Sequence, residues 1–375
     1  MQAAARSAGS TSRALGLLRK LNKQDASALR DQVGFAFDID GVLLRGEGVL
    51  TGAPEALQLL HACGIPHVFL TNGGGVLESA KAAQLADALG VPVAPEQVIV
   101  SHSPMRPLAE KYAGQKVLVL GWRDVKGVAE AYGFAPVVTV DCLASHDPTA
   151  YPFMSWPDKR LPPSVADAPF GAVLIMHDPV HWAPDLQLAL DVLRGGDPLG
   201  SGTGQAVPLY ASNPDFVFAG RHPVPRFAQG AFTQTLSFLF KQLTGQDLAI
   251  TQYGKPHAVT FDFALERLQA QAGGPPLQRV YMVGDNPKAD IRGANWAGDP
   301  WRSLLVSTGV HGAPREAFTS PALQGGSHQE LLRSTPSLAA DGTGNDVTDP
   351  ASAVVAGVLD AVVAGLQAGA VDAER

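Results

Sequence analysis

Phe35-Ala36-Phe37-Asp38-Ile39-Asp40-Gly41-Val42-Leu43-Leu44 is the stretch on which the reading of this chain turns. A short apolar run stops at two carboxylates one residue apart, and glycine follows directly. Such a run reads as a buried strand of a parallel sheet. Residues i and i+2 of a strand point the same way, so Asp38 and Asp40 are expected to face one small volume at its exit. Two close anions repel unless a cation or a shared proton relieves them. A hard divalent ion with oxygen ligands, Mg²⁺ foremost, suits such a pair, and Gly41 lets the backbone turn sharply beside it. A strand-end aspartate pair that only caps a turn would look the same. The neighbouring segments have to choose.

Downstream, residues 53–64 carry Pro54 at the first turn and Gly64 at the end, the marks of a helix. His67-Val68-Phe69-Leu70 then reads as a second strand, leaving through Thr71-Asn72-Gly73-Gly74-Gly75. Strand, helix, strand is a βαβ unit, which places both polar exits on the carboxyl edge of a parallel sheet, where open α/β sheets bind ligands. Residues 98–100 make a third strand. From 116 the pattern restarts, with strands near 117–121, 136–140, 172–176 and 207–211 and a polar, proline-rich excursion over 141–169. A helix over 231–245 is expected to lead back to the first sheet. Val280-Tyr281-Met282-Val283 runs into Gly284-Asp285-Asn286, and 304–306 is the last core strand expected. The fold class is α/β, a Rossmann-like parallel-sheet core with an inserted α/β cap. The expected division is a leader at 1–30, core at 31–115, cap at 116–230 and core again at 231–375, with a long surface loop at 314–349.

The 375 residues are long for one core, which agrees with two domains. Acidic and basic residues are interspersed around a net charge of −7, without the basic stripe that nucleic acid requires. Two isolated cysteines, Cys63 and Cys142, make neither a disulfide framework nor a zinc site. Residues 351–369, the longest apolar candidate, are interrupted by Asp360 and read as a terminal helix, so no membrane insertion is expected. The first 24 residues hold Arg6, Arg13, Arg19, Lys20 and Lys23 and no acid, with Leu15, Leu18 and Leu21 at helical spacing. That is the composition of an organellar transit peptide, and equally of a basic unstructured terminus.

The polar exits form a set suited to phosphate chemistry, which needs positioning and charge neutralisation above all. Asp38 is the candidate nucleophile and Asp40 the acid and base. Thr71, Asn72, Gly73 and Gly74 are placed to hold phosphoryl oxygens. Lys255 in Gly254-Lys255-Pro256 would neutralise Asp38 and the phosphate. Asp38, Asp40 (through its backbone carbonyl) and Asp285 form the expected metal set, supported by Asp290 and Asn286. Singly, each motif reads as an ordinary turn or a solvated lysine; their order after buried strands favours the joint reading. In the cap, Asp178 of Met176-His177-Asp178-Pro179 and Asn213 of Ala211-Ser212-Asn213-Pro214-Asp215 are candidate substrate contacts, with turn formation the equal alternative. His177 and His181 are rejected as a metal pair because Asp-Pro breaks the helix such a pair needs. His102 is expected to pack at the third strand's exit or to line the cap hinge.

Asp38-x-Asp40-Gly41, Thr71-Asn72-Gly73, Gly254-Lys255-Pro256 and Gly284-Asp285-x4-Asp290 resemble the four motifs of haloacid dehalogenase-like hydrolases. The cap between the second and third motifs is similar to the p-nitrophenylphosphatase-like branch. Ser101-His-Ser-Pro-Met-Arg106, Pro225-Arg-Phe-Ala-Gln-Gly-Ala-Phe232 and Tyr253-Gly-Lys-Pro-His257 resemble the cat eye syndrome critical region protein 5 family. The likeness covers about residues 35–312 and the C-terminal helix. It implies a Mg²⁺-dependent phosphatase acting through an aspartyl-phosphate on a small phosphorylated metabolite. It also implies a mitochondrial matrix location (the cytoplasm being the alternative), a link to glycerophospholipid metabolism and a homodimer. The competing function is a binding or assembly protein that keeps the site as a ligand sensor. A third is a phosphotransferase that uses an alcohol in place of water.

Overall fold

The computed structural model describes residues 29–218, 222, 224–309 and 345–373. The expected transit peptide and most of the expected 314–349 loop lie outside them. Val33–Phe37 is buried along its whole length because helices cover both faces of its sheet. Strand alternation sends Phe35 and Phe37 to one face, where they meet Phe69, Tyr281 and helix Ala53–Cys63. Ala36 faces the other way, toward Val68, Met282 and helix Ala258–Ala272.

The core sheet runs Ala353–Val355, Trp301–Val306, Arg279–Gly284, Val33–Phe37, His67–Leu70, Val98–Ile99, every pair parallel. The strand Val33–Phe37 is central, between the strands that carry the second and fourth motifs. The segment 351–369, expected to be wholly helical, divides: Ala353–Val355 adds an edge strand beyond 304–306, and the helix is Val358–Ala373. β-branched residues pairing with Leu304–Val306 outweigh the apolar helical pattern there. No helix among the described residues is long and apolar enough to cross a membrane.

The cap has its own parallel sheet, ordered Ile250–Gln252, Leu209–Ala211, Phe170–Ile175, Lys116–Leu120, Val137–Thr139. Strand Ile250–Gln252 and nearly all of helix Gln229–Thr244 lie past residue 230, where the sequence reading ends the cap. Phe232, Leu236 and Phe240 recur every four residues and bury their stripe against Leu118, Ile175 and Leu209. That helix therefore stays with the cap, and the chain returns to the core only after Gln252. The 141–169 excursion also contains helices, Val140–His146 and Pro163–Ala166.

Candidate active site

Asp38, Thr71 and Asp285 leave neighbouring strands on the same sheet edge. Parallel register sets Phe37 beside Val283 and Phe69, and Asp38 N–H donates to Val283 O at 2.9 Å, extending the ladder by one residue. Asp290 comes from the turn Pro287–Ile291, where Asn286 N–H holds its Oδ2 at 3.1 Å. The Asn286 side chain caps the same turn by accepting from Lys288 N–H at 3.0 Å. Among the described residues, Asp38, Asp285 and Asp290 each set a carboxylate oxygen within 4.8 Å of the other two, and all three are buried.

Two glycines make room for this cluster. A Cβ on Gly41 (φ +93°) or on Gly309 would overlap the Asp285 carboxylate. Gly41 is also tied down, its carbonyl accepting from Thr308 Oγ1 at 2.6 Å.

Lys255 is the counter-charge. Its ammonium donates to Asp38 Oδ1 at 2.5 Å and Leu70 O at 2.8 Å, and pairs with Asp290 Oδ1 at 2.7 Å. Burial opposes a charge at Lys255, but Asp290 and Asp38 outweigh it and keep the amine protonated. Burial pushes the Asp38 carboxyl well above its usual range; Lys255 opposes this, while Asp290 and Asp285 add to it. With all three carboxylates ionised against one ammonium, these four groups would carry −2. A divalent cation would cancel that charge and reverse the push on Asp38. The donor set, all carboxylate oxygen, is one that suits Mg²⁺.

The structure parts the side chains of the two motif aspartates. The strand ends at Phe37 and the chain bends before Asp40. The Asp40 side chain is exposed and is not among the three converging carboxylates, so the metal role expected of Asp40 lies with its backbone carbonyl and not with this side chain. The phosphate role expected of Asn72 belongs to its main-chain amide; its side chain is engaged elsewhere, Oδ1 accepting from Lys255 N–H at 2.7 Å while Nδ2 donates to Lys255 O at 3.0 Å and to Asp215 at 3.2 Å. Its polar atoms are committed to joining the lysine loop and the cap. The Asn213 side chain accepts from Asp215 N–H at 2.8 Å and so shapes the turn at this strand exit.

The glycine loop does more than leave room for an anion. Thr71 Oγ1 accepts from Gly73 N–H at 3.0 Å, which shapes the loop and leaves the hydroxyl proton for another partner. A Cβ on Gly74 would lie 3.0 Å from Met176 O, and one on Gly75 (φ +77°) would overlap the His177 ring. These glycines let the cap strand Phe170–Ile175 deliver its exit onto the loop. Asp178 sits beside His177, with 3.4 Å between its Oδ2 and His177 Nδ1. Among the described residues its Oδ1 is buried without a hydrogen-bond partner, and burial raises its carboxyl above the usual range.

Asp215 was quoted in the sequence but not singled out. It reaches the core through Asn72, and burial raises its pKa to about 6, against the Asn72 hydrogen bond and Lys255. A carboxylate just past a buried strand is a signal that Asp215 shares with Asp178. His102, left between two packing roles, is fully buried and touches both the Gly75 amide and Tyr132 of the cap.

The fold and the site together define a capped α/β hydrolase with an aspartate cluster at the carboxyl edge of its core sheet. Residues 35–135 match a family model described as haloacid dehalogenase-like hydrolase, and residues 252–324 match one described as HAD-hydrolase-like. A mitochondrial hydrolase of Saccharomyces cerevisiae is 36% identical over 314 residues, which cover 75% of this chain and 88% of that protein. The glycerol-3-phosphate phosphatase of Homo sapiens is 30% identical over 301 residues, covering 78% and 84%. A p-nitrophenyl phosphatase from Archaeoglobus fulgidus shares the fold, with a TM-score of 0.57 at 17% identity over 88% of this chain and 98% of that one. The chain belongs to the haloacid dehalogenase-like hydrolases.

Proposed function

We propose that the chain is a Mg²⁺-dependent phosphoric monoester hydrolase working through an aspartyl-phosphate. The carrying observation is the buried Asp38–Lys255–Asp290 arrangement beside Asp285. Asp38, Asp285 and Asp290 would hold the ion, which when bound supplies positive charge against the phosphoryl oxygens. Lys255 fixes Asp38 Oδ1 and favours its ionised form, the form a nucleophile needs. An Asp38 oxygen attacks phosphorus, the bond from phosphorus to the ester oxygen breaks, and the departing alkoxide takes a proton from Asp40. Exposure of Asp40 at the mouth suits that task better than metal ligation does. In the second half Asp40 accepts a proton from water, which attacks phosphorus, releases inorganic phosphate and restores Asp38. Keeping an acid at this position favours esters over halides, because a halide leaves without a proton.

The substrate inferred is a small phosphorylated polyol. The support is the cap, which covers the site with Asp178, Asp215 and His177, and the relative that hydrolyses glycerol 3-phosphate by name. A mitochondrial setting rests on the yeast relative's name and the basic N-terminal composition, and an ester drawn from glycerophospholipid metabolism rests on the family resemblance of the sequence motifs. The test is phosphate release from a panel of metabolite esters with and without Mg²⁺, with wild type beside Asp38→Asn and Asp40→Asn. Release that needs Mg²⁺ and vanishes in both variants is expected. A wild-type chain that hydrolyses no ester on the panel would overturn the reading.

A further inference from the structure

A directed chain of hydrogen bonds leaves the Gly75 amide, passes into the cap and returns to the core. Gly75 N–H donates to His102 Nε2 at 3.2 Å. With Nε2 accepting, the neutral imidazole carries its proton on Nδ1, which faces Tyr132 OH at 2.9 Å. Burial keeps the ring neutral, lowering its pKa to about 4. Tyr132 OH in turn donates to Glu78 Oε1 at 2.6 Å, and Ser103 Oγ donates to the same oxygen at 2.6 Å. Arg106 closes the far end, 3.8 Å from Glu78 Oε2 and 4.7 Å above the Tyr132 ring. Both ends lie in the core and the middle member lies in the cap. Tyr132 ends the cap helix Val125–Ala131, Glu78 begins the core helix Glu78–Leu89, and Gly75 follows Thr71 in the loop over the site. Moving Tyr132 takes the acceptor from the His102 Nδ1 proton and one donor from Glu78 Oε1, and so frees the ring that receives the Gly75 N–H.

We propose that Tyr132 is a positioning residue for the substrate loop, its hydroxyl setting the Gly75 amide through His102 and so coupling the cap's position to the loop that receives substrate. This rests on the phosphatase reading for its consequence, though not for its geometry. The loop is ordered when the cap sits as it does here and loosens when the cap swings away. Tyr132→Phe keeps the ring under Arg106 and deletes only the hydroxyl. Ser103→Ala is the control: it removes another hydrogen bond from the same Glu78 oxygen, together with the one Ser103 Oγ accepts from Val100 N–H at 3.0 Å, but lies off the path from Tyr132 to Gly75.

The experiment is amide hydrogen exchange of the 71–76 segment in the full chain. Tyr132→Phe is expected to speed exchange there about tenfold, the effect of one ordinary hydrogen bond, and Ser103→Ala less than about twofold. Equal acceleration in the two variants would show a general loss of support at Glu78 and overturn the proposal, as would no acceleration in either. Should Tyr132→Phe not fold, His102→Gln tests the link from the loop side. It must raise exchange at 71–76 while leaving helix 125–131 unchanged, and faster exchange in both segments would likewise overturn the proposal. With p-nitrophenyl phosphate, Tyr132→Phe is expected to raise KM about tenfold with kcat within about twofold. A wild-type chain that hydrolyses no ester defeats the phosphatase reading alone, because the exchange comparison still decides the coupling.

Discussion

Asn72 and Lys255 grip each other through two reciprocal hydrogen bonds: Lys255 N–H to Asn72 Oδ1 at 2.7 Å, and Asn72 Nδ2 to Lys255 O at 3.0 Å. A side-chain amide here does what a neighbouring strand would do, pairing with both main-chain groups of one residue 183 positions away. It fixes the root of the lysine while Leu70 O, Asp38 and Asp290 fix its tip.

Asn72→Ala therefore leaves a buried N–H and C=O without partners, at a cost of about 1–3 kcal/mol, and lets the ammonium drift from Asp38. Denaturant melts should show that loss, and kcat/KM for the best ester should fall about 100-fold. Asn72→Asp keeps the acceptor but sets a carboxylate against Asp215, and should lose at least as much activity.

Metal binding separates Asp290 from Asp40. Mg²⁺ at about 100 times its Kd should stabilise the wild type by about 2.7 kcal/mol, seen as a rise in Tm. Asp285→Ala and Asp290→Ala should abolish that rise. Asp40→Asn should retain it while losing phosphate release. A variant at Asp40 that loses the thermal response would return its side chain to the metal set.

Asp215 gives the stability a pH dependence. Folded, it holds its proton up to about pH 6; unfolded, it releases it near its ordinary value of 3.8. Between these values the native state binds the extra proton, so stability is greatest below the lower value and declines as pH rises through the upper one. Asp185, also raised to about 6 by burial, contributes a similar decline. Chemical denaturation between pH 4 and 7 should show a shallower decline in Asp215→Asn than in wild type, with the Asp185 part remaining.

Gly75→Ala tests the seating of the cap on the loop. The new Cβ meets the His177 ring at a positive φ that alanine adopts only under strain. The core should stay folded while kcat/KM falls about tenfold or more. Gly90→Ala, at a helix end with open space around it and a similar φ, carries the backbone strain without the cap contact. It should leave kinetics within about twofold of wild type.

The sequence by itself determined the parallel core, because strands buried on both faces leave continuous apolar runs such as Val33–Phe37 and Arg279–Gly284. It also determined that acidic and glycine-rich exits cluster at one edge, since βαβ connectivity sends every strand exit the same way. Asp38, Asp285, Asp290 and Lys255 could be found on that basis. Their partners could not. Asn72 pairs with Lys255 and Asp215, His102 with Gly75 and Tyr132, and Gly41 yields space to Asp285, each across a separation that no local period encodes. The cap's limit was misread for the same reason. Phe232, Leu236 and Phe240 announce a buried helical stripe, but a stripe does not say which of two sheets it will cover. Pattern reports that a face is buried, or that a polar group must find a partner; only tertiary packing, which brings distant segments within hydrogen-bond reach, decides against what.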